Sequence, residues 1–385
     1  MRRRIPLAWL QLSKDKPRML VALAGVVFAV ILVSMQLGFH SSIYESAVRY
    51  HRHFEYDLAM LSPSTPFIAW PDSFTRRRLY QALAADGVEG VTPVYLKQGQ
   101  WKNPWEFNGR GLLVVGFDPT HDVLAIPGVR RNLQRMRLPD VVLFDAESRP
   151  EFGPVAERFN EQGEIITEVN DRRIKVIDLF HLGSSFGIDG SLVTSDLNYQ
   201  RIFHDNPAGI IQLGLIHLQD GIDPLGVQRN LQGSLERDVE ILTREEFIQR
   251  EFDYWSSTTP VGYVFGFGAI MGLIVGCVIV YQILFADVSE HRAEYATLKA
   301  MGYRNRALSL MVLNEAGILA ILGYIPGLLI TMGLYHAMGE ATRLPIEMTL
   351  ERGLAVLLLT LTMCGISALI ALRKVRSTDP AEVFV

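Results

Sequence analysis

The sequence predicts a membrane protein with four transmembrane helices in a 1 + 3 arrangement and a large α+β domain, on the periplasmic side, carried by a short helical stalk. Three observations predict it. Apolar runs lie at Met19–Phe39, Val261–Phe285, Leu308–Leu334 and Leu354–Leu372. Each is near the roughly 20 residues that cross a bilayer as a helix. About 220 mixed polar residues separate the first run from the second, and basic residues cluster at particular run ends. Mean hydropathy is only +0.18, because four spans are averaged with a water-facing domain.

The segment 1–18 places Ile5, Leu7, Trp9, Leu10 and Leu12 among basic residues. It suits an amphipathic helix on the membrane surface; a disordered basic leader is the alternative. The span 19–39 is longer than a usual signal core, and no A-x-A site follows Phe39, so it reads as a retained anchor. Arg2, Arg3, Arg4, Lys14, Lys16 and Arg18 precede it, and Arg292, Lys299, Arg304 and Arg306 lie in the 286–307 loop. Arg373, Lys374 and Arg376 begin the tail, 373–385. The positive-inside rule then puts both termini and the 286–307 loop in the cytoplasm of an inner membrane. Residues 40–259 and the short loop 335–353 fall on the far side, the periplasm of a Gram-negative envelope.

Within 40–259, Ile43, Ala47, Tyr50 and Phe54 continue a helical stripe past the first span. Thr243 and Glu246 form a capping-box pair that opens a returning helix. These two helices are the expected stalk. Between them, strands are expected at 57–61, 88–95, 111–117, 141–144, 164–169, 174–179, 191–194, 212–218 and 238–242. Helices are expected at 74–85 and 223–235. Between 95 and 111 lies a segment holding Trp101 and Trp105, with turn signals at Asn103-Pro104 and Asn108-Gly109; exposed, these rings suit an adaptor protein or lipid, and buried, they are core.

The charge of −4 mixes compartments and does not argue for nucleic acid. Cys277 and Cys364 both lie in apolar runs, so the outer domain must fold without disulfides, which its size allows. His51-Arg52-His53 reads as a solvated helix end, not a metal site. No phosphate-cradling loop, G-x-S-x-G elbow or H-E-x-x-H occurs. Nothing argues for catalysis, a metal or a cofactor, and work done across the membrane needs energy from a partner.

The spans themselves are 260–285, 308–334 and 354–372. In the first of these, Gly268, Gly272 and Gly276 form a small-xxx-small ladder, read as the seam of a homodimer or as packing within one chain. Glu315, two turns into the next, is a functional candidate or a structural hydrogen-bond partner. Pro326 within Gly323–Gly327 marks a kink. The 286–307 loop holds a helix over 289–302 with Gly302 near its end. It places Tyr295, Leu298 and Met301 on one face, flanked by Glu294 and Lys299. That face fits a groove in a partner or the lipid headgroups.

The phrase Arg292-Ala-Glu-Tyr-Ala-Thr-Leu-Lys-Ala-Met-Gly302 resembles the R-x-E-[IY]-x-x-L-[KR]-A-[IM]-G loop of ABC-transporter permeases of the FtsX/MacB class. The tail Arg376-Ser-Thr-Asp-Pro-Ala-Glu-Val-Phe384 resembles their D-P-A-E-x-[LF] ending. Ala8–Leu12, Leu138–Asp145, Ser148–Gly153 and Asp171–Val176 resemble the DevC group, permeases of cyanobacterial heterocyst-glycolipid exporters. The resemblance implies a non-catalytic membrane subunit in which Glu294, Tyr295, Leu298, Lys299, Met301 and Gly302 couple to a separate ABC ATPase subunit that binds the ATP. It further implies a second copy of the chain, a periplasmic adaptor (membrane fusion) protein, a TolC-like outer-membrane protein and a lipid or glycolipid cargo. The alternatives are a lipoprotein-releasing permease and FtsX-like signalling to a cell-wall hydrolase.

Overall fold

The computed structural model describes residues 16–207 and 209–376. Residues 1–15 of the expected surface helix, and the tail motif from residue 377 on, lie outside them. The chain divides into a sheet unit, Ser42–Pro260 with Glu340–Pro345, and a helical unit built from the segments up to Ser41, Val261–Gly339 and from Ile346 on.

Helix α1 (Lys16–Ala47) is followed in the sheet unit by α2 (Arg49–His53), β1 (Leu58–Leu61), β2 (Phe74–Thr75), α3 (Arg76–Ala82), β3 (Val88–Lys102) and β4 (Gly109–Phe117). Next come α4 (Pro127–Arg130), β5 (Val141–Asp145), α5 (Val155–Gln162), β6 (Ile165–Val169), β7 (Arg172–Phe180) and β8 (Ser191–Ser195). The unit ends with α6 (Asp196–Ile202), β9 (Ile210–Ile211), β10 (Leu213–Leu218), α7 (Pro224–Ser234), β11 (Glu240–Thr243) and α8 (Arg244–Asp253). Nine strands make one mixed sheet in the order β11-β1-β10-β3-β4-β8-β5-β7-β6, parallel only at β4–β8 and β5–β7. The short pair β2–β9 and helices α4, α5 and α6 are not among the elements expected from the sequence.

Successive strand residues point to opposite faces, and here both faces are covered. Leu58 and Met60 of β1 enter one core with Trp101, Phe144 and Tyr199; Ala59 and Leu61 enter a second with Phe54, Phe117 and Phe247. This is why β1 reads as an unbroken apolar run. The strand end expected at Tyr95 is corrected: β3 runs on through Lys102, and the chain turns at 104–106, between the Asn103-Pro104 and Asn108-Gly109 signals. Trp101 is fully buried, its Nε1 donates to the Phe152 carbonyl at 3.2 Å, and its ring lies 5.0 Å from Phe144. Trp105 packs half-buried on the same core.

Both sheet edges are covered. At one edge, Gln232 Oε1 accepts from Ile241 N at 2.9 Å, and Gln228 Nε2 donates to the Ile241 carbonyl at 2.9 Å. Two side chains of α7 thus stand in for a neighbouring strand beside β11. At the other edge, β6 turns back into β7 through Asn170-Asp171, both at positive φ (49° and 60°). That is the backbone of a type I′ hairpin, which Asn and Asp tolerate. The end of β6 also pairs with Trp101 and Lys102 of β3, so this part of the sheet curls onto itself.

The helical unit contains the described part of α1 up to Ser41, then α9 (Pro260–Glu290), α10 (Arg292–Ala300), α11 (Asn305–Thr342) and α12 (Leu350–Arg376). The stretches Met19–Ala47, Pro260–Glu290, Leu308–Thr342 and Leu350–Leu372 are long and apolar enough to cross a membrane. Helix α11 continues through Pro326, which leaves the Leu322 carbonyl without its usual donor. Glycines set the spacing to α1. A Cβ on Gly323 would lie 2.6 Å from Val26 Cβ, and one on Gly327 2.8 Å from Val30 Cγ1.

Gly323→Leu is expected to destabilise the chain by about 1–3 kcal/mol through overpacking against α1. Gly333→Leu, whose Cβ would meet nothing within 4 Å, serves as the control. Thermal melts of the detergent-purified chain check this, and equal melting temperatures for the two variants would refute it.

Candidate functional site

The candidate residues fall in three sets: the loop helix α10, the glycine ladder of α9, and the helices α2 and α8 of the sheet unit.

Helix α9 ends at Glu290, and the chain turns at His291, whose Nδ1 donates to the Asp287 carbonyl at 3.0 Å. The loop helix therefore begins at Arg292 and not at 289. It ends in a Schellman motif. Gly302 sits at φ +91°, Tyr303 N donates to the Leu298 carbonyl at 3.1 Å, and Gly302 N donates to the Lys299 carbonyl at 3.0 Å. These bonds satisfy two carbonyls that the helix end leaves open, and the left-handed step is one glycine takes without a Cβ penalty.

The single apolar face expected for this helix is split. Tyr295 is buried with Ala296, and Leu298 is half-buried in the same cluster as Val288, Leu308 and Val312. Burial raises the Tyr295 hydroxyl well above its ordinary range, and the Glu315, Asp287 and Glu294 carboxyls push it further in that direction. Tyr295 is thus a root that holds α10 on the helical unit, not a knob for a partner. Glu294, Thr297, Met301, Gly302 and Tyr303 are exposed, with Met301 at 64% and Tyr303 at 51%. Lys299 is half-buried and already engaged. The surface open to another protein is therefore Glu294–Thr297–Met301, one turn apart along the helix. Glu315 is buried in the helical unit, beside the root.

The seam assigned to Gly268, Gly272 and Gly276 is corrected. Gly268 faces Gln36, Gly272 faces Leu32 and Val33, and Gly276 faces Ala29 and Met363. The chain's own α1 and α12 fill the ladder, because glycine permits backbones to approach where lipid provides no hydrophobic drive. A different stripe of α9 is open: Tyr263, Phe267, Ile270, Ile274 and Val278 are exposed.

In the sheet unit, the first expected stalk helix is divided at Val48 between the end of α1, with Ile43 and Ala47, and α2, with Tyr50, and the second is α8. Ile43, Ala47, Tyr50 and Phe54 are all buried, and the Thr243/Glu246 capping box forms. His51 is not solvated: it is fully buried, its Nε2 lies 3.2 Å from Glu251 Oε2, and Phe247 stands edge-on to its ring at 4.3 Å. Glu251 Oε2 also accepts from Ile68 N at 3.0 Å, and its Oε1 accepts from Trp255 Nε1 at 3.2 Å. One carboxylate thus ties together α2, α8, the 62–73 loop and a π-helical turn, Tyr254–Thr258. The sequence carried a signal for this. His51 stands four residues after Ala47 and three before Phe54, on the buried stripe itself.

A second carboxylate, Asp145, is buried at the end of β5. Burial raises its pKa, although it accepts from Glu147 N, Leu182 N and Gly183 N at 2.8–3.1 Å. It shapes the loop after β7, whose Leu182 carbonyl accepts from Arg49 Nη1 at 2.9 Å. Among the described residues no group of three or more His, Cys, Asp or Glu side chains is placed to hold a metal.

The fold and these sites define a membrane protein with four apolar helices and a large α+β domain. Residues 266–380 match the family described as FtsX-like permease C-terminal. No curated protein matches the chain. Among solved structures it is similar to the periplasmic region of MacB from Actinobacillus actinomycetemcomitans, at 12% identity over 54% of this chain and 96% of that one, TM-score 0.37. It is also similar to the extracellular domain of the noncanonic ABC-type transporter YknZ from Gram-positive bacteria, at 12% identity over 49% and 99%, TM-score 0.33. At these scores neither likeness bears on fold or function.

Glu251→Leu leaves Ile68 N, Trp255 Nε1 and His51 without their buried acceptor. The expected cost is about 3–5 kcal/mol, seen as a lower denaturation midpoint and as protease cleavage within 62–73 of the full chain. An unchanged midpoint would show that the carboxylate does not hold these segments together.

Proposed function

We propose that the chain is the non-catalytic permease subunit of an ATP-driven exporter, with ATP bound and hydrolysed by a separate subunit. One observation carries the reading: an FtsX-like permease region over 266–380 that includes α10, a helix rooted by Tyr295 with its outer face open. A rooted helix passes a push into the bundle that holds it, whereas a loose one would absorb it. The orientation read from charge makes α10 cytoplasmic and the sheet unit periplasmic, in an inner membrane. The DevC-like stretches favour lipid or glycolipid as cargo, handed to a periplasmic adaptor and a TolC-like outer-membrane protein by a pair of permease copies.

Replacing Thr297 and Met301 with Asp should weaken capture of the ATPase subunit by about tenfold or more, since apolar interface contacts are lost and charge is buried. Insertion and melting temperature should stay as in the parent, because both side chains are exposed. Pull-down from membranes and stimulated ATP hydrolysis measure the effect; undiminished binding would sink the coupling assignment.

Orientation is tested separately. With Cys277 and Cys364 replaced by Ser, a cysteine at exposed Glu161 should react with an impermeant thiol reagent from the periplasmic side. One at exposed Arg304 should react only after the inner membrane is opened. The reverse pattern would invert the assignment.

A further inference from the structure

One surface of the sheet unit takes no part in the coupling reading. A groove of about 890 Å³ runs beside β7, between the segment before β5 and the β6–β7 hairpin; Leu138, Ile166, Ile174 and Ile177 contribute its apolar lining. A smaller hollow, lined by Phe107, continues it, because Ile166 and Arg173 line both. Leu138 is 55% exposed, Ile166 44% and Phe107 73%. Phe107 is held at φ +59°, and its N–H donates to the Asn103 carbonyl at 2.8 Å. A large side chain kept in a left-handed step and left in solvent points to a use for it.

Charge adds a second observation. Residues 42–260 carry 31 acidic and 22 basic side chains, so the unit is acidic as a whole. The groove and hollow reverse this locally: Arg135, Arg172, Arg173, Lys175 and Lys102 outnumber Asp140, Glu164 and Glu168. Each of these acids is already engaged: Asp140 by Arg172 at 2.8 Å and by Arg201 at 3.9 Å, Glu164 by Lys175 at 2.7 Å and Glu168 by Lys102 at 2.7 Å. Arg135 makes its bonds to Asn132, the Ile177 carbonyl and, at 3.9 Å, Asp178. The Arg173 side chain, exposed and shared by both hollows, makes no ion pair or hydrogen bond among the described residues.

We propose that this groove binds an amphiphile with an anionic headgroup, the head on Arg173 and Arg135 and the first part of the chain along Leu138, Ile166 and Phe107. An exposed aliphatic strip excludes a purely polar ligand, and surplus guanidinium beside it selects phosphate or carboxylate through charge-assisted, bidentate hydrogen bonds. The inference rests on the export reading, since it names the class of cargo, and its test is independent of the ATPase.

The full chain in phosphatidylcholine nanodiscs is exposed to a diazirine-bearing lysophosphatidylglycerol below its micelle concentration, with the lysophosphatidylcholine analogue as the neutral probe. Adducts are mapped by mass spectrometry. The expected result is labelling of the peptides spanning 135–141 and 164–177, about tenfold stronger with the anionic probe. Arg135→Glu with Arg173→Glu should bring the anionic probe down to the neutral level, and Ile166→Ser should lower both. Equal labelling by the two probes, adducts confined to the apolar helices, or indifference to the charge reversals would overturn the proposal. So would a cross-linked protein partner that occupies the same peptides in place of the probe. ATPase capture is read on the same variants. Failure of labelling with capture intact overturns the groove alone, and failure of capture by the parent chain overturns the export reading.

Discussion

Close approach to α1 is the constraint on which the helical unit depends. Lipid offers helices no hydrophobic reason to associate, so they associate by van der Waals contact, strongest where side chains are small. Here α9 and α11, which follow α1 by more than two hundred residues, both meet it through glycine. Gly272 and Gly276 meet Leu32, Val33 and Ala29, and Gly323 and Gly327 meet Val26 and Val30. Tyr335 closes the set, its ring against Gly38 and its hydroxyl on the Ser34 carbonyl. A single span thus gathers helices from the far end of the chain, and the large insertion leaves and returns without breaking the bundle.

The rooted loop helix follows from that packing. Tyr295 lies in the same apolar cluster as Val26, Val280, Leu308 and Val312, so α10 belongs to the bundle rather than hanging from it. The Schellman turn at Gly302 then sends the chain directly into α11. A force on the Met301 face has a short path: the helix, its tyrosine, and the ends of α9 and α11. Such a path supports the proposed coupling because each link is packed, and packed links shift together or not at all.

The sheet unit meets a different demand. Strands covered on both faces bury their side chains but leave two edges open to unwanted pairing. Glutamines of α7 cover the β11 edge, and the β6–β7 hairpin curls back to pair with β3. The curl has a second consequence. It brings Phe107, on the loop after β3, beside Ile166 and Arg173 of the hairpin, so the device that protects the edge also builds the mixed apolar and cationic groove.

Elements with a strong period or local chemistry were legible in the sequence alone. The four apolar runs, the capping box at Thr243, the stripe Ile43–Ala47–Tyr50–Phe54 and the core strands belong to this group, because length, alternation and caps act between near neighbours. The partners of individual side chains were not. Gly276 and Gly268 have the spacing of a seam whether α1 or another subunit faces them. Tyr295 has the spacing of a knob whether it faces out or in. His51 and Glu251 stand two hundred residues apart, and Trp101 read equally as an exposed contact ring or as core until β6 and Phe152 came to cover it. What decided each was which distant segment arrives at the open face, and that follows from the packing of the whole chain, where no local pattern carries the information.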